Sequence, residues 1–214
     1  MNVVVAGGHG KIAMLLHPML VERGDTVRAL IRNPGHATEV RAAGAEPVLF
    51  DLEAENDAAP AVAGANAIVF AAGAGPGSGP ERKWTVDYGG VAKLIDAAKR
   101  SGADRYVIVS SIGADDPPAE GGEVFGEYLR AKAKADEELA ASGLAYTIVR
   151  PGMLTDDAPT GRVEAAPKVE RAEIPRADVA SVLATSLHEP ATVGKAFTVT
   201  SGETPIGEAL TSLP

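Results

Sequence analysis

Two groups of residues in this 214-residue chain have the types and spacing that chemistry needs. The first is Gly7-Gly8-His9-Gly10, which follows the apolar run Asn2–Ala6 and leads into a helical pattern that begins at Lys11. A phosphate ester reaches the backbone closely only where no Cβ intervenes, and a strand-to-helix turn needs a residue that accepts unusual φ. Gly7, Gly10 and the small Ala13, spaced Gly-x-x-Gly-x-x-Ala, meet both needs. The amides that open the helix add a partial positive charge. In this context the pattern predicts a dinucleotide site, with Gly7, Gly8, His9 and Gly10 forming the loop under the pyrophosphate. A ligand-free turn would use the same glycines, but strand, loop and helix in that order favour the ligand.

The second group is Ser110-Ser111, at the end of the apolar run Arg105–Val109, together with Tyr128-x-x-x-Lys132. A four-residue spacing on a helix puts both side chains on one face, so ammonium and phenol can act on the same group. A free phenol titrates at about 10, and a neighbouring cation brings it closer to acid–base work near neutrality. A serine hydroxyl can meanwhile hold and polarise a carbonyl or alcohol. With no ligand, Tyr128 would be a half-buried helix residue beside Phe125 and Leu129, and Lys132 a solvated charge.

Cofactor choice is read about twenty residues beyond such a glycine loop, where an acid holds a ribose 2′-OH and an arginine accommodates a 2′-phosphate. Leu30-Ile31-Arg32-Asn33-Pro34 carries no acid at that point. Arg32 is the candidate clamp and Asn33 a supporting donor, so NADP(H) is favoured over NAD(H); a solvated arginine before a turn is the alternative. Asp51 and Leu52 would lie beside the adenine, although an aspartate there also suits a turn. The histidines, at 9, 17, 36 and 188, show no metal-ligand spacing, and no metal site is expected. Asp115-Asp116-Pro117-Pro118 reads as a turn, and Trp84 as core.

These residues need a frame, and short apolar runs alternating with longer alanine-rich stretches supply one. Strands are expected at Asn2–Ala6, Thr26–Ile31, Glu46–Phe50, Ala67–Phe70, Arg105–Val109, Tyr146–Val149 and Phe197–Thr200. Helices are expected at Lys11–Arg23 (with Pro18 as a kink), Ala37–Ala43, Asp57–Ala63, Trp84–Ser101, Val124–Ser142 and Arg176–Leu187. Residues 71–80 hold four Gly and two Pro and cannot keep regular structure, so they form a loop. Thr155–Glu173 is read as loops near a site. Strands joined by helices imply right-handed crossovers, hence an α/β, doubly wound parallel sheet between two helical layers. No linker divides the chain, so residues 1–214 are expected to form one domain, with substrate loops near 73–83, 112–123 and 153–173.

Composition narrows the function classes. There is no cysteine, which removes disulfides, thiolate chemistry and cysteine-built zinc sites. The formal net charge of -9 is a poor match to nucleic acid or anionic lipid. No apolar run reaches the roughly 20 residues that a bilayer requires. The N-terminus has no basic stretch ahead of an apolar one, and a cytoplasmic protein is expected. The partner is a small-molecule substrate, with no nucleic acid and no membrane, and the chain is expected as a monomer or small homo-oligomer.

Taken together, the motifs resemble the short-chain dehydrogenase/reductase superfamily in its atypical, NAD(P)H-binding branch. The resemblance is carried by residues 5–12, Arg32-Asn33-Pro34, Asp51-Leu52, Ala71-Ala72-Gly73, residues 109–115, Tyr128-Leu129-Arg130-Ala131-Lys132, Val149-Arg150-Pro151-Gly152, residues 174–180 and residues 201–206. It implies a Rossmann fold with NAD(P) across the carboxyl ends of the strands. Gly7, Gly10, Lys11 and Ile12 would meet the pyrophosphate, and Ala71, Ala72 and Gly73 the adenine-side ribose. Ser110, Lys132, Pro151, Gly152 and Met153 would surround the nicotinamide ribose and ring. By the same likeness Ser111 positions substrate, Tyr128 exchanges the proton and Lys132 tunes Tyr128. Asp87 stands where many members carry asparagine, and Ala13 replaces a third glycine.

The expected activity is hydride transfer between NADP(H) and a small carbonyl, alcohol or conjugated compound. A non-enzymatic NAD(P)-sensing regulator would need the glycine loop but not Tyr128. A sugar-nucleotide epimerase or dehydratase would need a larger substrate lobe than residues 155–173 provide.

Overall fold

Along β1 (Asn2–Ala6), Val3 and Val5 enter one core while Val4 and Ala6 enter another, and all four are fully buried. A strand buried on both faces has to be apolar throughout, with helices above and below it. The computed structural model, which describes residues 1–75, 77–119 and 124–214, has that architecture. After β1 come α1 (Lys11–Glu22), β2 (Thr26–Ile31), a 3-10 turn (Pro34–His36), α2 (Ala37–Ala42), β3 (Glu46–Leu49), α3 (Ala59–Val62) and β4 (Ala67–Phe70). The short α4 (Pro80–Arg82) and a π-helical turn (Lys83–Tyr88) lead into α5 (Gly89–Ser101), β5 (Arg105–Val109), α6 (Val124–Ala140) and β6 (Ala145–Pro151). The chain ends with β7 (Met153–Thr155), β8 (Arg162–Ala166), β9 (Glu173–Pro175), α7 (Arg176–His188), a 3-10 turn (Pro190–Thr192), β10 (Lys195–Ser201), β11 (Thr204–Pro205) and α8 (Ile206–Thr211).

The main sheet has the order β11-β8-β10-β6-β5-β4-β1-β2-β3 and is parallel from β3 through β10. The chain winds outward from β1 to β3, then returns to β4 and winds the other way. The crevice beyond the carboxyl ends of β1 and β4 is where such a sheet receives a ligand. Residues of α1, α2, α7 and α8 join the core on one face, and those of α3, α5 and α6 the core on the other.

The strands expected at Asn2–Ala6, Thr26–Ile31, Ala67–Phe70 and Arg105–Val109 have those bounds, and α1 continues through Pro18. The doubly wound sheet is parallel as expected except at one edge, where β8 pairs antiparallel with β10 and β11 extends that edge. Thr155–Glu173, read as loops, contains β8 and meets the two-stranded β7–β9 pair at its ends. In β8 only Val163 is fully buried, between exposed Arg162 and Glu164, too brief an alternation to read as a strand. The helix expected from Trp84 starts as the π turn, and Trp84 is not core: it is partly exposed and donates from Nε1 to Glu127 at 2.9 Å.

Asp178, in the first turn of α7, holds this edge in place. It is fully buried and accepts from the Thr160 amide (2.9 Å), the Thr160 hydroxyl (3.0 Å) and the Gly161 amide (2.9 Å). The bend ahead of β8 therefore hangs from a helix N-terminus, where a carboxylate is also favoured by the helix dipole. Asp178→Ala would remove three hydrogen bonds to a buried carboxylate and should cost about 2–3 kcal/mol of stability. Chemical denaturation checks this; an unchanged midpoint would refute the role.

Candidate functional site

The turn between β1 and α1 is built without room for side chains. Gly7 has φ of 74°, and a Cβ there would lie 2.6 Å from the Ala72 Cα that follows β4. A Cβ on Gly8 would lie 2.6 Å from the Ala29 Cβ in β2. The Gly10 amide donates to the Gly7 carbonyl at 2.8 Å, and the first helical bond runs from the Met14 amide to the Gly10 carbonyl. The amides of Lys11, Ile12 and Ala13 thus open the helix with no acceptor inside it, and the first turn has no acid. Beneath the loop, fully buried His17 contacts the Gly8 carbonyl through Nε2 at 2.7 Å. Burial pulls its pKa down against the opposing effect of that bond, so the ring is a neutral donor. Lys11 itself points away, its ammonium 2.5 Å from Asp156, which also pairs with Arg176 at 2.7 Å.

On one side of the turn lie two small clefts. One, of about 320 Å³, is bordered by the glycine loop, Ala71–Gly73, Arg32, Asn33 and His36. The other, of about 310 Å³, adds Asp51, Leu52, Glu53 and Arg82. Arg32 is 62% exposed at its side chain and lies 3.7 Å from Glu53. Glu53 also takes Arg82 at 2.5 Å and the Thr85 hydroxyl at 2.8 Å. The Arg82 hydrogen bond, chiefly, holds the Glu53 carboxyl below the usual range, with Thr85 and the charges of Arg82 and Arg32 adding to it. Asp51 accepts from the Glu53 amide at 2.8 Å and Asn33 from the Gly35 amide at 2.9 Å, so both side chains brace their own turns. Glu53 and Arg82 escape the sequence reading because the acid near Arg32 arrives from the neighbouring strand's loop.

On the other side, a cleft of about 510 Å³ contains Ile12, Ala71–Gly73, Ser110, Tyr128, Lys132, Lys83 and Asp87. It adjoins one of about 970 Å³ that contains Ser110, Ser111, Tyr128, Pro151, Gly152 and Met153. Ser110 and Tyr128 line both. Tyr128 lies between two cations, with Lys83 Nζ 5.6 Å and Lys132 Nζ 5.8 Å from its ring centre, and it stacks on Phe125 at 5.8 Å. Lys132 is 2% exposed; it donates to the Val109 carbonyl at 3.0 Å and pairs with Asp87 at 3.3 Å. Burial pulls its pKa down, but the carboxylates of Asp87 and Asp136 and the Tyr128 phenol outweigh that and leave it raised. Lys132 is therefore a buried, paired ammonium and not a solvated one.

The two serines differ. Ser110 is buried and donates to Asp136 at 2.9 Å, whereas half-buried Ser111 donates, among the described residues, to the Ile112 carbonyl at 3.3 Å. Asp136 also takes Arg150 at 2.9 Å, and burial nevertheless raises its carboxyl above the usual range. Ser110, Asp136 and Arg150 form a polar unit behind the cleft that their sequence separation conceals. Of the loops expected to meet substrate, residues 76 and 120–123 lie outside the described residues. Among the described residues no cluster of potential metal ligands occurs, and no helix is long and apolar enough to cross a membrane.

A family model described as NAD(P)H-binding matches residues 7–190, which spans the glycine turn, the clefts on both sides of it and α7. The chain belongs to this NAD(P)H-binding family. It is 40% identical over 215 residues to an uncharacterised sugar epimerase of Bacillus subtilis, covering 100% of both chains. A solved structure from Bacillus halodurans, provisionally described as an NAD-dependent epimerase/dehydratase, superposes with a TM-score of 0.92 at 39% identity, covering 98% of each chain. Sanguinarine reductase of Eschscholzia californica is 28% identical over 253 residues, covering 98% of this chain and 92% of that protein. The family has a Rossmann fold with a mostly parallel sheet, a nicotinamide cofactor and oxidoreductase members, and this chain has the same fold.

His17 makes the turn pH-sensitive. Its proton is held more weakly in the fold than in the unfolded chain, so stability falls as pH drops below the ordinary imidazole range. His17→Gln retains a donor but cannot titrate. Its melting temperature should therefore fall less than that of the wild type between about pH 7 and about pH 5; equal losses would remove His17 as a cause.

Proposed function

We propose that this chain is an NADP(H)-dependent oxidoreductase that moves a hydride to or from a small carbonyl, alcohol or conjugated substrate. The observation that carries this reading is Tyr128, which lines both the cleft beside Ala71–Gly73 and the larger cleft beyond it. A proton-exchanging group thereby faces cofactor and substrate space at once. Family membership and the reductase relative support the oxidoreductase class.

The residues fit a dinucleotide. Gly7 and Gly8 leave the backbone bare where side chains would clash, and α1 opens directly after them with no acid in its first turn to oppose an anion. Gly7–Ile12 would hold the pyrophosphate, Arg32 and Asn33 the 2′-phosphate, Leu52 and Ala71–Gly73 the adenosine, and Ser110, Lys132 and Pro151–Met153 the nicotinamide side. When bound, the cofactor supplies or accepts the hydride. Tyr128 then gives or takes the proton at its phenol oxygen, with positive charge from Lys132 and Lys83 flanking its ring. Ser111 positions the substrate oxygen, and Ser110, its proton committed to Asp136, offers lone pairs to the cleft. Phe125 and Met153, 54% and 63% exposed, give the larger cleft an apolar mouth suited to excluding water around an apolar substrate.

The names of two relatives, one a sugar epimerase and one an epimerase/dehydratase, raise epimerisation as a second reading. Between β7 and β9 this chain has only one five-residue strand, β8, which extends the sheet edge and forms no lobe over the cleft. Reduction of a compact substrate is therefore favoured.

Tyr128→Phe should lower kcat about 10²–10⁴-fold on a carbonyl, quinone and flavin panel while NADPH affinity stays unchanged. Equal turnover would exclude Tyr128, and cofactor binding with no turnover of any acceptor would mark a sensor instead. Arg32→Ala should weaken NADPH about 10–100-fold by calorimetry and leave NADH unaltered. Equal wild-type affinity for the two cofactors would overturn the NADP(H) preference.

A further inference from the structure

We propose that a stacked pair of histidines, His9 and His36, completes the receptor for the adenosine 2′-phosphate with Arg32, and that Glu39 is the carboxylate which this phosphate displaces. The inference rests on the NADP(H) reading above and adds residues to it. His9 comes from the glycine loop and His36 from the turn after β2, yet their rings lie 3.7 Å apart and within 16° of parallel. Both border the cleft that also contains Arg32 and Asn33. Two elements separated in sequence thus deliver two imidazoles and a guanidinium to one small space. The Asn33 amide, 3.4 Å from His36 Nε2, helps orient the second ring.

The pair already holds an anion. His9 Nε2 lies 2.9 Å from Glu39 Oε2, and that hydrogen bond first, with the charges of His9 and His36, keeps the Glu39 carboxyl below its usual range. Glu39 is an imperfect occupant, since its side chain is 67% exposed on α2 and can rotate into water at little cost. A phosphate ester brings more charge and more acceptor oxygens than a carboxylate, and would take over the His9 donor. A ribose 2′-hydroxyl brings no charge and has nothing with which to displace Glu39. The stack therefore separates NADP(H) from NAD(H) by an exchange of anions.

The experiment compares adenosine 2′,5′-bisphosphate with adenosine 5′-monophosphate by calorimetry, probes that differ only in the 2′-phosphate and require no turnover. His36→Gln, which leaves the glycine loop intact, should weaken the bisphosphate about 3- to 10-fold with the monophosphate unchanged, and His9→Gln should weaken the bisphosphate more than the monophosphate. Glu39→Gln should act in the opposite direction and strengthen the bisphosphate about 3-fold. If Arg32→Ala removes the preference but the histidine and glutamate variants leave it intact, the stack plays no part and the proposal fails alone. If the wild type binds both probes equally, the NADP(H) reading fails and takes this proposal with it.

Discussion

The architecture depends on one close approach: the backbone of the first turn lies directly against β2 and the exit of β4. Ala29 and Ala72 leave no space for a Cβ on Gly8 or Gly7. Because β1 sits between β4 and β2 in the sheet, the same contact sets where two neighbouring strands end relative to the helix that follows the first. Close packing gives such a contact little tolerance. His17 secures it from below, its ring taking up the Gly8 carbonyl, which would otherwise be an unpaired acceptor in an apolar core. The glycines are thus required twice, once for the path of the chain and once for the bare surface it presents.

A second constraint lies under the Tyr128 side of the crevice, where charges of opposite sign alternate with little access to water. Asp87 faces Lys132, and Asp136, one helical turn from Lys132, faces Arg150. Isolated, any of these charges would be costly to bury, and together each carboxylate has a cation beside it. The arrangement ties α6 to β6 and to the π turn, and so sets the face of α6 that presents Tyr128. The charge of Asp87 matters here. A neutral amide would leave the Lys132 ammonium less compensated, whereas the carboxylate offsets part of its charge. The second cation beside Tyr128, Lys83, is delivered by the same π turn, a geometry that widens the helix and is frequent at functional sites.

Much of this is legible in the sequence, for physical reasons. Strands buried on both faces, such as Val3–Val5 or Ile68–Phe70, have to be unbroken apolar runs. A glycine loop directly after such a run marks a turn where backbone, not side chain, must meet its neighbours. The features that escape the sequence are those whose cause is tertiary. β8 is a strand because β10 offers an open edge and Asp178 fixes the bend ahead of it, not because residues 162–166 favour that state. Glu53 reaches Arg32 from an adjacent loop, and Asp136 on α6 draws in Ser110 after β5 and Arg150 on β6. Pairings of that kind leave no periodicity along the chain.

The charge balance around Arg32 shows why cofactor choice is poorly read from one position. Two acids, Glu53 and Glu39, stand close to where a 2′-phosphate would lie, and in a chain with a net charge of -9 unpaired acids there would repel it. Each, however, is engaged by a base other than Arg32: Glu53 by Arg82 at 2.5 Å, Glu39 by His9 at 2.9 Å. Arg32 keeps only a 3.7 Å contact with Glu53 and stays mostly in water. Since exposed pairs of this length contribute little, its guanidinium is far less committed than that of Arg82. On the NADP(H) reading, the choice between a phosphate and a hydroxyl would rest on Glu53 staying with Arg82 while Glu39 is exchanged, a property of the cluster and not of the arginine alone.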